Sequence, residues 1–145
     1  MAETTAQFEG KKARPIVPYL RLGDGQEPPY LAGEQCAACG AVYLDHRVAC
    51  SKCTATGPFK EIRLSKTGTL YVYTIVYQSM PGIKTPYVAG IVDLPEGVSV
   101  RATLMDIEPD PRKIAFDLPV EMVSQKVRED KDGTDVIAYF FRPVR

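Results

Sequence analysis

The chain has 145 residues, 45% hydrophobic and 25% charged, a balance that suits one ordinary globular domain or two small ones and excludes a disordered or fibrous polypeptide. Its 18 Lys and Arg are offset by 18 Asp and Glu, and the balance holds on either side of residue 65, so neither half carries the basic field that nucleic acid selects. No run approaches the ~20 apolar residues of a membrane span, which sets the expectation of a cytoplasmic protein with no membrane partner.

Residues 1–33 predict an extended N-terminal arm. Pro15, Pro18, Pro28 and Pro29, with Gly23, Gly25 and Gly33, interrupt every window in which a helix might otherwise form. Ile16, Val17, Tyr19, Leu20, Leu22, Tyr30 and Leu31 are too many apolar residues for a free tail. They are expected to pack either on the rest of this chain or on a partner. The stretch from Met1 to Gly10 is polar and acidic, so no apolar signal segment opens the chain, and disulfides are not expected.

Residues 34–65 contain all four cysteines, Cys36, Cys39, Cys50 and Cys53, as two Cys-x2-Cys pairs. Each pair on a tight turn aims two sulfurs at one point, and two facing turns supply the four thiolates of a tetrahedral site. This predicts a rubredoxin-like zinc ribbon with one structural Zn²⁺. Iron is the rival, since four thiolates also suit a one-iron redox centre. Gly40 follows the first pair, where the turn drives the backbone to positive φ. The second turn, followed by Thr54 and only later by Gly57, is a looser match. Ala41–Leu44 reads as a short strand between the turns. A unit this small cannot hold a core unaided, so metal binding and folding should be one event. Asp45 and His46 with Ser51 invite a catalytic-triad reading; against it, neighbours on an extended turn point to different sides, leaving a solvated histidine.

Residues 66–145 read as all-β. Leu70–Tyr77, Tyr87–Leu94, Val98–Met105, Pro119–Val127 and Val136–Phe141 are five runs of β-branched and aromatic residues, separated by turn residues such as Pro95-Glu96-Gly97 and Asp130-Lys131-Asp132-Gly133. Five antiparallel strands of this size avoid raw edges by closing on themselves, and a five-stranded OB-fold-like barrel is expected, with a small sandwich as the other solution. In the first run Tyr71, Tyr73, Ile75 and Tyr77 are expected to share one face, as core or partner packing or as a base-stacking platform. Met80–Lys84 falls in the first hairpin loop and carries two apolar residues where a plain turn would be polar, a mark of partner contact. The acidic run Glu129–Asp135 lacks calcium-loop spacing and reads as a solvated hairpin tip. Lys84 and Arg101 are scattered surface cations to which no phosphate-binding role is assigned.

The ribbon motif Gln35-Cys36-Ala37-Ala38-Cys39-Gly40 through Cys50-Ser51-Lys52-Cys53 is followed by Gly68-Thr69-Leu70-Tyr71-Val72-Tyr73-Thr74. Next come Pro86–Leu94 (PYVAGIVDL) and Phe116–Met122 (FDLPVEM). Together these segments resemble the family of zinc-ribbon plus OB-fold accessory proteins associated with thiolases and acyl-CoA metabolism. The resemblance covers roughly residues 30–143 and extends to the small subunit of a benzoylsuccinyl-CoA thiolase-like complex. One departure stands out: between the knuckles the family has an aromatic, two prolines and a basic residue, whereas this chain has Tyr43-Leu44-Asp45-His46-Arg47.

The resemblance implies a noncatalytic zinc-containing accessory subunit in a hetero-oligomer with a thiolase-like catalytic subunit, and a CoA thioester bound mainly by that partner. The inventory of side chains points the same way. Thiolase-type Claisen chemistry needs a cysteine nucleophile, a second acid/base and oxyanion donors. Here every cysteine is expected at the metal and His46 is the sole histidine, so no catalytic residue is assigned. A four-thiolate zinc has no open position for water. A single-strand nucleic-acid binding module and a small iron-thiolate electron carrier are the alternative functions.

Overall fold

The computed structural model describes residues 12–23, 27–44 and 46–144, and among these it contains ten strands and no helix. No helix of the described residues is therefore long and apolar enough to cross a membrane. In chain order β1 (Ala13–Pro15) and β2 (Leu20–Arg21) come first, followed by β3 (Tyr30–Cys36), β4 (Val42–Tyr43) and β5 (Phe59–Arg63) around the cysteines. β6 (Thr67–Val76), β7 (Tyr87–Asp93), β8 (Ser99–Leu104), β9 (Pro119–Glu129) and β10 (Asp135–Pro143) complete the chain.

The last five strands close into a barrel. β6 pairs antiparallel with β7 and β7 with β8. β8 meets β10 in parallel at Leu104 and Phe141, β10 pairs antiparallel with β9, and β9 returns antiparallel to β6. This circuit is the OB-fold, and the sandwich alternative is set aside by its closure. Period-two patterning supports it. Val88, Gly90 and Val92 of β7 and Val100, Ala102 and Leu104 of β8 are buried, and the residues between them face outward.

β6 is shared between two neighbours, with Thr67–Thr69 on β9 and Thr69–Val76 on β7. Gly68 sits at this corner, where a Cβ would stand 2.6 Å from the Asp93 carbonyl oxygen and 2.8 Å from Val92 Cγ1. The backbone oxygen has no rotamer by which to retreat. Gly68→Ala is therefore expected to destabilise the barrel by about 1–3 kcal/mol, read as a lower denaturant midpoint with unchanged slope. An unchanged midpoint would mean that the corner relaxes freely.

A register shift between Leu70 and Val72 corrects the sequence-based face assignment. The β-bulge adds one residue to β6, so Leu70, Tyr73 and Ile75 oppose Val92, Gly90 and Val88 on the inner side, while Tyr71 is pushed outward and is 57% exposed. Tyr73 leans its ring on Phe116 at 5.7 Å. The tyrosines therefore form no common stacking platform.

The described residues of the N-terminal arm pack on their own chain. β1 adds in parallel to β10, pairing Ala13 with Asp135 and Pro15 with Ile137, and Arg14 donates to Asp130 at 2.6 Å. The Arg14 hydrogen bond holds the Asp130 carboxyl below its usual range. Asp130 is thus a docking point on the β9–β10 hairpin tip. β2 pairs with β3, and Leu20 is fully buried. Leu20, Leu31 and Leu64 join Leu70, Val92 and Phe141 in one continuous apolar cluster. The cysteine-bearing unit thereby sits on the barrel's own core at its β3–β5 base. At about 1.5–3 kcal/mol for each fully buried aliphatic side chain, this shared base is held by burial. Glu96, in the turn after β7, accepts hydrogen bonds from the amide and hydroxyl of Ser65 and fastens the linker between the two units.

Candidate metal centre

The two Cys-x2-Cys turns have the same construction. In the first, Gly40 N donates to Cys36 O (2.9 Å) and Cys36 N to Ala41 O (2.8 Å). In the second, Thr54 N donates to Cys50 O (2.9 Å) and Cys50 N to Ala55 O (2.8 Å). Both turns therefore close on a residue with positive φ, +80° at Gly40 and +66° at Thr54. The sequence marks the first with glycine and hides the second behind a β-branched residue, which adopts that conformation only under strain.

The turns face one another and bring all four sulfurs within 4.8 Å of each other. Cys36 Sγ lies 3.7 Å from Cys53 Sγ, and Cys39 Sγ 3.5 Å from Cys50 Sγ. Thiolates at ~2.3 Å from a tetrahedral ion stand about 3.8 Å apart, whereas a disulfide requires ~2.05 Å. The spacing suits an ion, and all four cysteines are free. Cys36 and Cys50 are buried; Cys39 and Cys53 are partly exposed.

Electrostatics identifies what the cluster lacks by itself. The Tyr43 phenol, helped by the amides of Cys53 and Lys52, pulls the Cys50 thiol down to about 6. For Cys53 the Ala55 amide acts in the same direction, but burial and the neighbouring cysteines override it and push the thiol up to about 12. One thiolate discourages the next, so four adjacent thiolates need a cation among them. This donor set can hold a metal ion, and the site would be closed, with no position left for a reacting water.

Among the described residues the triad reading is not assembled. His46 is largely exposed, and its Nδ1 lies 3.1 Å from Glu34 Oε1, while Ser51 Oγ lies 2.8 Å from the Tyr43 phenol oxygen. Asp45 lies outside the described residues. The barrel contributes a second feature at the β6–β7 connection, where Tyr77 (66%), Met80 (72%) and Ile83 (46%) are exposed around a turn closed by Ile83 N to Met80 O. Lys84 is exposed in the same loop, and Arg101 borders an open groove of about 510 Å³ with Tyr87, Arg128 and Phe140. Sequence reasoning missed Tyr43: an aromatic in a short strand carries no sign that its hydroxyl reaches a sulfur seven positions later.

Residues 61–125 match the family described as the ChsH2 C-terminal OB-fold domain. A DUF35 domain-containing scaffold protein of Methanocaldococcus jannaschii is 33% identical over 117 residues, covering 79% of this chain and 82% of the relative. The benzoylsuccinyl-CoA thiolase subunit BbsA of Thauera aromatica is 35% identical over 121 residues, covering 83% and 81%. Among solved structures, a chain of the Ltp2–ChsH2(DUF35) aldolase superposes with a TM-score of 0.62 at 26% identity, covering 79% of this chain and 84% of that one.

Proposed function

We propose, since this chain belongs to the DUF35 family of OB-fold proteins, that it is a noncatalytic accessory subunit of a thiolase-type enzyme acting on acyl-CoA thioesters. The observation that carries this reading is the gathering of every cysteine of the chain into one closed cluster, which leaves no thiol for Claisen chemistry. Relatives named as scaffold proteins and as thiolase subunits support the same role. The structural neighbour is named an aldolase, also a carbon–carbon bond enzyme.

In this reading Cys36, Cys39, Cys50 and Cys53 hold one Zn²⁺, which supplies cross-linking and no catalysis. The chain works as an arm (1–33), a ribbon (34–65) and a barrel (66–145). It acts in the cytoplasm in a hetero-oligomer, and the partner binds most of the CoA thioester. A bound accessory chain raises turnover by excluding water and holding the thioester in a reactive pose, without lending a reacting group.

The test is coexpression with a thiolase-type enzyme from the same genome. A stable complex, carrying one zinc per copy of this chain, is expected. A coloured iron-loaded monomer would favour the electron-carrier alternative. Micromolar, strongly salt-dependent binding of single-stranded DNA would favour the nucleic-acid alternative, against which the even charge balance argues.

A further inference from the structure

We infer that Tyr43 is a positioning residue of the metal centre, clasping the second cysteine turn through its phenol oxygen and limiting metal release. The inference rests on the metal-binding reading above and adds to it a residue outside the four ligands. One oxygen makes three close contacts: Tyr43 Oη lies 3.2 Å from Cys50 Sγ and 2.8 Å from Ser51 Oγ, and it accepts the Ser51 amide at 3.1 Å.

Hydrogen-bond accounting assigns the direction of each contact. A phenol has one proton to give and two lone pairs. The Ser51 amide fills one lone pair, and the Ser51 hydroxyl, which can donate or accept, fills the other once the phenolic proton is taken by the thiolate. The single phenolic proton is directed at Cys50 Sγ, which as a metal-bound thiolate can only accept. Arg47 also packs on this residue, with its Cζ over the ring at 4.8 Å from the centroid. Tyr43 is fixed from below as well, because β4 is paired with β3 through Glu34.

The consequence is mechanical as well as electrostatic. The first knuckle leads directly into β4, whereas the second follows the exposed segment from His46 to Ala49. Tyr43 ties that second knuckle back to the paired strands. Groups that hydrogen-bond to metal ligands without touching the metal typically change affinity about 10–100-fold when removed.

The experiment loads full-length chain with zinc and follows its transfer to a chromogenic chelator. Tyr43→Phe keeps the ring and removes only the oxygen; it is expected to load one zinc per chain and release it at least about tenfold faster than the parent. With Co²⁺ in place of zinc, its thiolate-to-cobalt charge-transfer band is expected to shift, a change that altered packing alone would not produce. Tyr19→Phe, which removes an arm hydroxyl that meets Tyr139 of β10, should change neither reading. Ser51→Ala keeps ring and phenol while withdrawing one donor, and is expected to give an intermediate release rate. If Tyr43→Phe fails to fold, Ser51→Ala decides alone, and release at the parental rate overturns the clasp. Equal release and an unshifted band in Tyr43→Phe also overturn it while leaving the metal site standing. Failure of the parent chain to bind zinc or cobalt overturns both.

Discussion

Chelating the metal is expected to melt the knuckle end of the ribbon while the barrel keeps its fold. The apolar residues that anchor the ribbon, Leu31 on β3 and Leu64 just after β5, belong to the barrel's core cluster and are expected to stay buried after chelation. Beyond Cys36 the picture changes: His46, Arg47, Val48 and Ala49 are exposed, and little besides Cys36 and Cys50 is buried before β5. Structural zinc contributes about 10–16 kcal/mol of apparent binding free energy in small zinc folds, far more than this segment can replace by burial. Amide exchange should therefore become fast over residues 36–58 and stay slow over residues 67–143. Cys39→Ala and Cys50→Ala should reproduce the pattern, since three thiolates no longer close the site. Persistent protection of 36–58 after chelation would show that the turns stand by packing alone.

The second large effect concerns assembly. Replacing both Met80 and Ile83 with Asp is expected to separate this chain from its catalytic partner while leaving its own stability within about 0.5 kcal/mol. Both side chains are exposed in the isolated chain, so neither substitution disturbs the core. In a complex, a carboxylate forced against apolar surface without a counter-ion is destabilising by about 3–5 kcal/mol, a loss of roughly 10²–10³-fold or more in affinity. Size-exclusion chromatography of the coexpressed pair reads the result directly. Elution of the doubly substituted chain with its partner at the original volume would place the interface elsewhere. Truncation of the arm is a poorer probe of assembly, because Leu20 is fully buried in the core and β1 is paired with β10.

The parts of this fold that were legible in the sequence are those with a strong local pattern. The five barrel strands announce themselves through runs such as Tyr87–Asp93, where alternation of inward and outward residues is unbroken. The paired cysteines predict their own convergence because each tight turn leaves few directions for two sulfurs. What was hidden has no local mark. The bulge at Leu70–Val72 lies in a run where every residue is a good strand former, so inserting one extra residue leaves the composition unchanged. Phe59–Arg63 (FKEIR) lacks period-two alternation because β5 is only half covered, so nothing in the ribbon sequence marks it as a strand of its own. β1 is three residues long and includes a proline at the sheet edge, a length at which propensity carries no signal. Thr54 hid the equivalence of the two knuckles, and the phenol of Tyr43 shows its purpose only when β4 and the second turn are seen together.

The most direct test is the rate of acyl-CoA thioester cleavage by the partner enzyme, assayed with and without this chain at saturating concentration. The partner alone is expected to turn over slowly, this chain alone to be inactive, and addition of the zinc-loaded chain to restore full activity. Full activity of the partner in the absence of this chain, or cleavage by this chain alone, would contradict the accessory role.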